Sequence, residues 1–526
     1  PQAETTRSPE AGLESRAAGG DPGQAAAPLP PPVPPPARTG GAPDEAPTAS
    51  DPRRRRLLLG LGVAAIAAVG GSWLLQERRR GQGAPLRSIA VLPFRPLVEG
   101  AGDPALEFGM TDTLINRLSG VPGLVVRPLS SVRRYAAPDH DAVRAGRELD
   151  TEAVLEGHVS TESERIRVTA RLLEVATGAA LWSGALAGEI VSALRFEMTA
   201  RDRRQMLDHA TNDVLAWQLY VNGRYHSARG TPEGFRRAIE YFEAAERQDP
   251  GFALAAAGQA DLWAVLGVFT VVPPVDAFAR AGAAAERALQ LAPDLPEALA
   301  AMGHVLVQGR RDWHGGEQLY RRAIAGKPSH ARAHMWLANN CAYQGRLNEA
   351  LAEARRAQEL EPLSLNFAAN VGLILYFMRD YRPALAQLES LVEAAPEFPL
   401  ARHHLARVLV ASGDPQRAIA VLDGHDAPAP GALSNLGRAY AATGRKELAT
   451  AEVGRLEDLG GQGFGVGFDL ALIHVALGDT TSALEAIERA VHDGSQTIGF
   501  LNSEPGLDPI RDQSRFHDVS RQLGLG

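Results

Sequence analysis

Prolines recur through the C-terminal half of this 526-residue chain at Pro250, Pro293, Pro328, Pro362, Pro396 and Pro430, each where a helix-spaced apolar run ends. The intervals are 43, 35, 34, 34 and 34 residues. Proline has no amide hydrogen to give a helix and clashes with the preceding turn, so it closes helices rather than continuing them. A period of about 34 residues holds two short helices and their turns. One such pair buries little by itself. The apolar faces are covered only by stacking pair on pair, which excludes a single compact core and requires a solenoid with a concave inner wall.

That period is the one of the tetratricopeptide repeat. Within it, Met302–Gly303, Leu337–Ala338, Val371–Gly372 and Leu405–Ala406 take the middle of the first helix, while Ala350, Ala384 and Ala418 mark close packing in the second. Beyond Pro430 the register shifts but persists, through Leu436, Gly437, Tyr440 and Ala449 and then Ala483, Ile487 and Ala490. The 43-residue interval carries the insertion "TVVPPVDAF". The chain is therefore expected to be mainly α, with about eight units over 213–500 in a right-handed solenoid. Residues 501–526 are expected to seal the last unit through Leu507, Pro509, Ile510 and Phe516. The register places His304, Gln308, Asn339, Tyr343, Asn366, Tyr376, His403 and Arg407 on the inner wall, where they could hold an extended peptide or merely solvate the surface. Repeat proteins that clamp a terminal carboxylate pair lysines with asparagines; Asn339 fits that pattern but Met335 stands where a lysine is expected.

Upstream, Leu57 to Leu75 is a run of 19 uncharged residues between the clusters Arg53–Arg56 and Arg78–Arg80, with Trp73 near one end. As a helix it would reach about 28 Å, close to the hydrocarbon thickness of a bilayer. A membrane helix is expected over 57–76, preceded over 1–56 by a Pro/Ala-rich, disordered linker containing "PLPPPVPPPA". Four arginines against three favour a cytoplasmic N-terminus and an extracytoplasmic remainder. Gly60, Gly62, Gly70 and Gly71 leave small faces through which two copies could pair.

Between membrane and repeats, "LRSIAVLPF", "LVVRPL", "EAVLEGHVS" and "RIRVTARLLEVATG" read as strands, separated by helical spacing over 104–123 and by "DAVRAGRELD". The order β-α-β-α-β-β gives a small α/β domain over 86–188, followed by a connector over 189–212. The blocks "SIAVLPF", "LINRLSGVPGLVVRPLSSVRRYA", "AGRELDTEAVLEGHV" and "RIRVTARLLEVATGAALW" resemble the TolB-like domain found beside tetratricopeptide arrays in bacterial signalling proteins. The stretch after "LWS" is shorter than that family's. Linker, membrane helix, TolB-like domain and repeats together resemble the part of a CadC-like transmembrane transcription regulator that follows its winged-helix domain. The resemblance implies a sensing region in the inner membrane, a peptide or protein partner in the groove, and DNA contact only through an N-terminal domain absent from this sequence. The same modules also follow Ser/Thr kinase or nucleotide-cyclase domains, or stand alone as a scaffold.

Net charge of −8 gives no basic footprint for nucleic acid, and Cys341 is the single cysteine, which excludes an internal disulfide. Asp112, Glu148, Asp150, Glu152 and His158 read as scattered solvated groups. "GGQGFGVG" over 460–467 lacks the spacing of a nucleotide loop and reads as the turn between the last two helix pairs. His403 and His404 diverge on a helix and make a poor metal pair. The chain reads as non-catalytic, with no cofactor.

Overall fold

The computed structural model describes residues 86–96, most of 111–136 and of 140–184, and most of 211–525. The expected linker over 1–56, the membrane helix over 57–76 and nearly all of the connector over 189–212 lie outside the described residues. Among those described, no helix is long and apolar enough to cross a membrane.

A small sheet leads the described chain. Its strands are β1 (Ser88–Val91), β2 (Arg95–Pro96), β3 (Val125–Val126), β4 (Ala153–Glu162), β5 (Arg165–Glu174) and β6 (Ala180–Gly184). They lie in the order β3-β1-β4-β5-β6, with β2 also on β4. β1 runs parallel to β3 and β4, whereas β4, β5 and β6 are antiparallel. A strand between two parallel neighbours is covered on both faces, which is why Ile89, Ala90 and Val91 form an unbroken apolar run and are fully buried. The helices α1 (Leu129–Val132) and α2 (Ala142–Glu148) pack on it. The Asp141 carboxylate caps α2 by accepting from the amides of Val143 and Arg144.

Eight helix pairs follow. The first four are α3 (Val214–Ser227) with α4 (Pro232–Gln248), α5 (Ala253–Val268) with α6 (Pro274–Leu291), α7 (Pro296–His304) with α8 (Trp313–Gly326), and α9 (Ala331–Tyr343) with α10 (Leu347–Leu360). The others are α11 (Leu365–Phe377) with α12 (Tyr381–Ala394), α13 (Pro399–Ala411) with α14 (Pro415–Leu422), α15 (Pro430–Ala442) with α16 (Lys446–Gly461), and α17 (Gly467–Leu477) with α18 (Thr480–Ala490). A π-helical turn, Val305–Gly309, extends α7. Two 3-10 turns, Gln496–Phe500 and Pro505–Ile510, then lead to α19 (Ser514–Gln522).

The small positions work by admitting a large neighbour. A side chain at Gly303 would strike the Tyr320 ring, one at Gly372 the Leu388 side chain and one at Gly437 that of Ile473. First and second helices differ in what covers them. Every residue of α11 from Phe367 to Phe377 is buried, whereas α12 buries only Ala384, Leu388 and Leu391. In this pair the second helix thus keeps one wet face, while the first is wrapped on all sides from Phe367 onward.

Sheet and solenoid are riveted together. The buried Arg127 guanidinium donates to the carbonyls of Leu149 (2.8 Å) and Asp150 (2.5 Å), just past α2, and to those of Glu359 and Leu360 (3.1 Å) at the end of α10. One cation therefore caps two helix C-termini, where the helix dipoles favour positive charge. Asp112 is not the solvated group expected from the sequence: it is buried and paired with Arg224 of α3 at 2.9 Å. An acid that lies against a neighbouring unit cannot be told from a surface acid by local spacing. The glycine-rich turn is a packing device. Gly465 and Gly467 admit the backbones of Ser495 and Ala490, and the Asp493 carboxylate accepts from the amides of Val466 (3.0 Å) and Gly467 (2.6 Å).

Candidate partner-binding face

In pairs three to eight the residue after the small position of each first helix faces inward. These are His304, Asn339, Leu373, Arg407, Arg438 and Leu472. Helical geometry makes them a ladder, because each first helix repeats the previous one with the same face turned inward.

At its upper end, the buried His304 ring stacks on Trp336, with centroids 4.2 Å apart and planes 15° off parallel, and its Nδ1 lies 3.2 Å from the Tyr320 hydroxyl. Burial, then the Arg332 charge, lowers its pKa to about 3, so the ring is neutral near pH 7. Gln308 Nε2 donates to the Tyr343 hydroxyl at 2.9 Å. Asn339 is half-buried, and its Oδ1 has no hydrogen-bond partner within the protein. Asn366, half-buried at the start of α11, bonds to none of the other seven residues named for this face. His403 is half-buried beside Arg407, and burial with that charge lowers it to about 4.

The expected open groove is occupied. The segment over 496–511, of which the sequence assigned 501 onward to sealing the last pair, lies along the first helices of pairs four to eight. Phe500 packs edge-on against Tyr343 (4.6 Å between centroids) and against Phe377 (4.5 Å). Ser503 Oγ donates to the carbonyl of Ala342 at 2.5 Å. Gly506 fits against Leu472 and Arg438, and Leu507 and Ile510 are buried. Further on, the carbonyl of Leu523 accepts from Trp313 Nε1 at 2.6 Å. Consequently Tyr343, Tyr376 and Arg407 are buried rather than exposed on an inner wall, and His304 is buried by Phe278, Tyr320 and Trp336.

At the centre sits Glu504, with no exposed surface. Its Oε1 accepts a short bond from the Tyr376 hydroxyl, and Arg438 Nη2 lies 3.8 Å away. Arg407 Nη1 lies 4.0 Å from Oε2, and its guanidinium stands 5.8 Å from the centre of the Tyr376 ring. Burial and the Glu504 charge push the Tyr376 hydroxyl well up. Burial works against the charged Arg438, but Tyr376 and Glu504 outweigh it and raise its pKa. At the rim, Arg379 holds Asp508 through two bonds of 2.7 and 2.8 Å. Arg438, Glu504, Phe377 and Phe500 were not named from the sequence. Arg438 was within reach, one residue past the recognised Gly437; the segment's residues carry no periodic signal that places them inside the solenoid.

Beside the segment a cleft of about 660 Å³ stays open, with Val275, Phe278, Gln308, Arg310, Arg311 and Gln496 among its walls. Among the described residues, no three ligand-type side chains converge on a possible metal site.

Residues 301–364 and 372–432 match the family of tetratricopeptide repeats. Those residues carry tetratricopeptide repeats. Tetratricopeptide repeats as a class take peptide or protein partners on their concave surfaces. A protein of Rhizobium meliloti (strain 1021) bearing the name adenylate cyclase 3 is 30% identical over 185 residues, which are 32% of this chain and 31% of that protein. The chain thus spans about a third of the length of the curated relative it matches. Among solved structures, the human IFIT1 dimer with PPP-AAAA is 18% identical, covering 52% of this chain and 72% of that one, with a TM-score of 0.39. Pseudomonas aeruginosa pilF is 20% identical, covering 39% and 93%, with a TM-score of 0.31.

Proposed function

We propose that this chain is the sensing and protein-interaction part of a membrane-anchored bacterial signalling protein, with a non-catalytic tetratricopeptide array that engages a peptide or protein partner. Leu57 to Leu75 tethers it in the inner membrane, and the sheet and array work on the extracytoplasmic side, coupled to a cytoplasmic output such as the winged helix of a CadC-like regulator. The observation that carries the interaction role is the inner ladder at one register position, polar at His304, Asn339, Arg407 and Arg438. The arginine-flanked apolar run supports the tether. A partner that binds two arrangements of the array unequally shifts the balance between them, and that shift is the signal.

Protease added outside spheroplasts should digest the region after Arg80, and its survival there would remove the assigned topology. A photoreactive side chain at Val275, which is 79% exposed beside the open cleft, should give a discrete heavier adduct in native membranes. No adduct at Val275 or at Gln308 would remove the interaction role on this face.

The relative's name favours a second reading of the output, a nucleotide cyclase in place of a winged helix. The coding sequence upstream of Pro1 separates the two by which domain it encodes.

A further inference from the structure

The pocket around Glu504 is built for a carboxylate but imperfectly filled by the one it holds. Tyr376, Arg407 and Arg438 come from three successive first helices and converge on a single side chain that is wholly buried. Both arginines are more than nine-tenths buried, yet Arg407 Nε and Arg438 Nη1 have no hydrogen-bond partner, nor has Glu504 Oε2. The approach distances of 3.8 and 4.0 Å are those of loose ion pairs, outside the range of about 2.7–2.9 Å that charge-assisted bonds reach when well placed. At the rim a second acid of the same segment, Asp508, pairs closely with Arg379.

The resident segment spells out what the face accepts. Phe500 fills the niche between Tyr343 and Phe377, Glu504 lies four residues on between the arginines, Asp508 four further at Arg379, and Leu507 is buried between the two acids. The segment is built of two 3-10 turns, Gln496–Phe500 and Pro505–Ile510, which set the spacing of these side chains.

We propose that the concave face is a recognition site for an acidic peptide segment of a partner protein, of the pattern aromatic-x3-Glu-x2-Leu-Asp, and that residues 497–511 are a built-in competitor the partner displaces. The proposal deepens the interaction reading and rests on it. A site occupied in cis binds in trans only to the extent that it opens, so apparent affinity falls by the fraction open. Loosening Glu504 raises that fraction without touching the arginines.

The test uses the full chain in detergent and a fluorescent synthetic peptide of residues 497–511, TIGFLNSEPGLDPIR. Anisotropy should show the peptide binding Glu504→Gln at least tenfold more tightly than wild type. A peptide with glutamine in place of its glutamate should bind that variant at least tenfold more weakly. Absence of saturable binding to a cooperatively folded Glu504→Gln chain, or equal binding of the two peptides, overturns the proposal. Hydrogen exchange on wild type keeps the question decidable if the variant does not fold. Amides over 499–510 should exchange at least tenfold faster than those of α11. Exchange of both at one common rate would make the segment permanent core and overturn displacement. Failure here with a Val275 adduct still formed removes the acidic-peptide pocket and leaves the interaction role standing.

Discussion

Asp469 of α17 is buried within reach of the Arg407 charge, and burial pushes its pKa up to about 6. A carboxyl raised above its unfolded value binds a proton in the fold where the unfolded chain has released it. Its contribution to stability is therefore complete in acid and lost as pH rises through about 6. Asp469→Asn removes that loss. The variant should exceed wild type at pH 7.5 by on the order of 3 kcal/mol, with the gap closing toward pH 4, as read from urea midpoints at the two pH values. His304 follows the opposite sign. Its pKa lies at about 3, below that of an exposed imidazole, so its contribution is complete at neutral pH and lost as pH falls from about 6.5 toward 3. His304→Phe keeps an aromatic ring against Trp336 and removes the titration. The drop in Tm between pH 7 and pH 4 should be smaller in the variant than in wild type.

Elements are held apart by the size of single residues. A methyl added at Gly372 would lie 2.5 Å from Leu388 Cγ. Alanine gains about 1 kcal/mol of helix propensity over glycine, while forced overpacking costs about 1–3 kcal/mol. Gly372→Ala should therefore lower stability by up to about 2 kcal/mol in urea titration instead of raising it as an exposed glycine would. Helix pairing of this kind was legible in the sequence, because prolines end helices and close crossings admit only small residues, and both leave marks at fixed intervals. The π-helical turn after α7 and the positive φ of Arg311 left none: each is set by what packs against it. The same holds for the inner wall. Tyr376 and Arg407 could be assigned to it from the register, but the 3-10 turns that cover them have no period. Glu504 is 128 residues from Tyr376, and no local rule links them.

For the molecule as a whole, Arg127 is the side chain whose loss should travel furthest. Four carbonyls from two helix ends lose their donor together in Arg127→Ala. Bonds to a charged donor contribute about 1.5–3 kcal/mol each, less for a shared guanidinium, so a loss of about 3 kcal/mol is expected. Hydrogen exchange should rise at the end of α10 and around Leu149 together; a rise at only one of them would mean that the two regions open independently.

A stacked-helix array ordinarily stretches and twists like a spring, because each pair touches only its neighbours. Here the sheet is fixed to the first pair through Asp112 and Arg224, and to the fourth through Arg127, so it lies across the opening turns as a splint. Pairs four to eight are tied in turn by the segment over 496–511, which reaches from Tyr343 to Leu472. A load applied at the sheet would then pass to the segment that carries Glu504 through pair four, which both the splint and Phe500 grip.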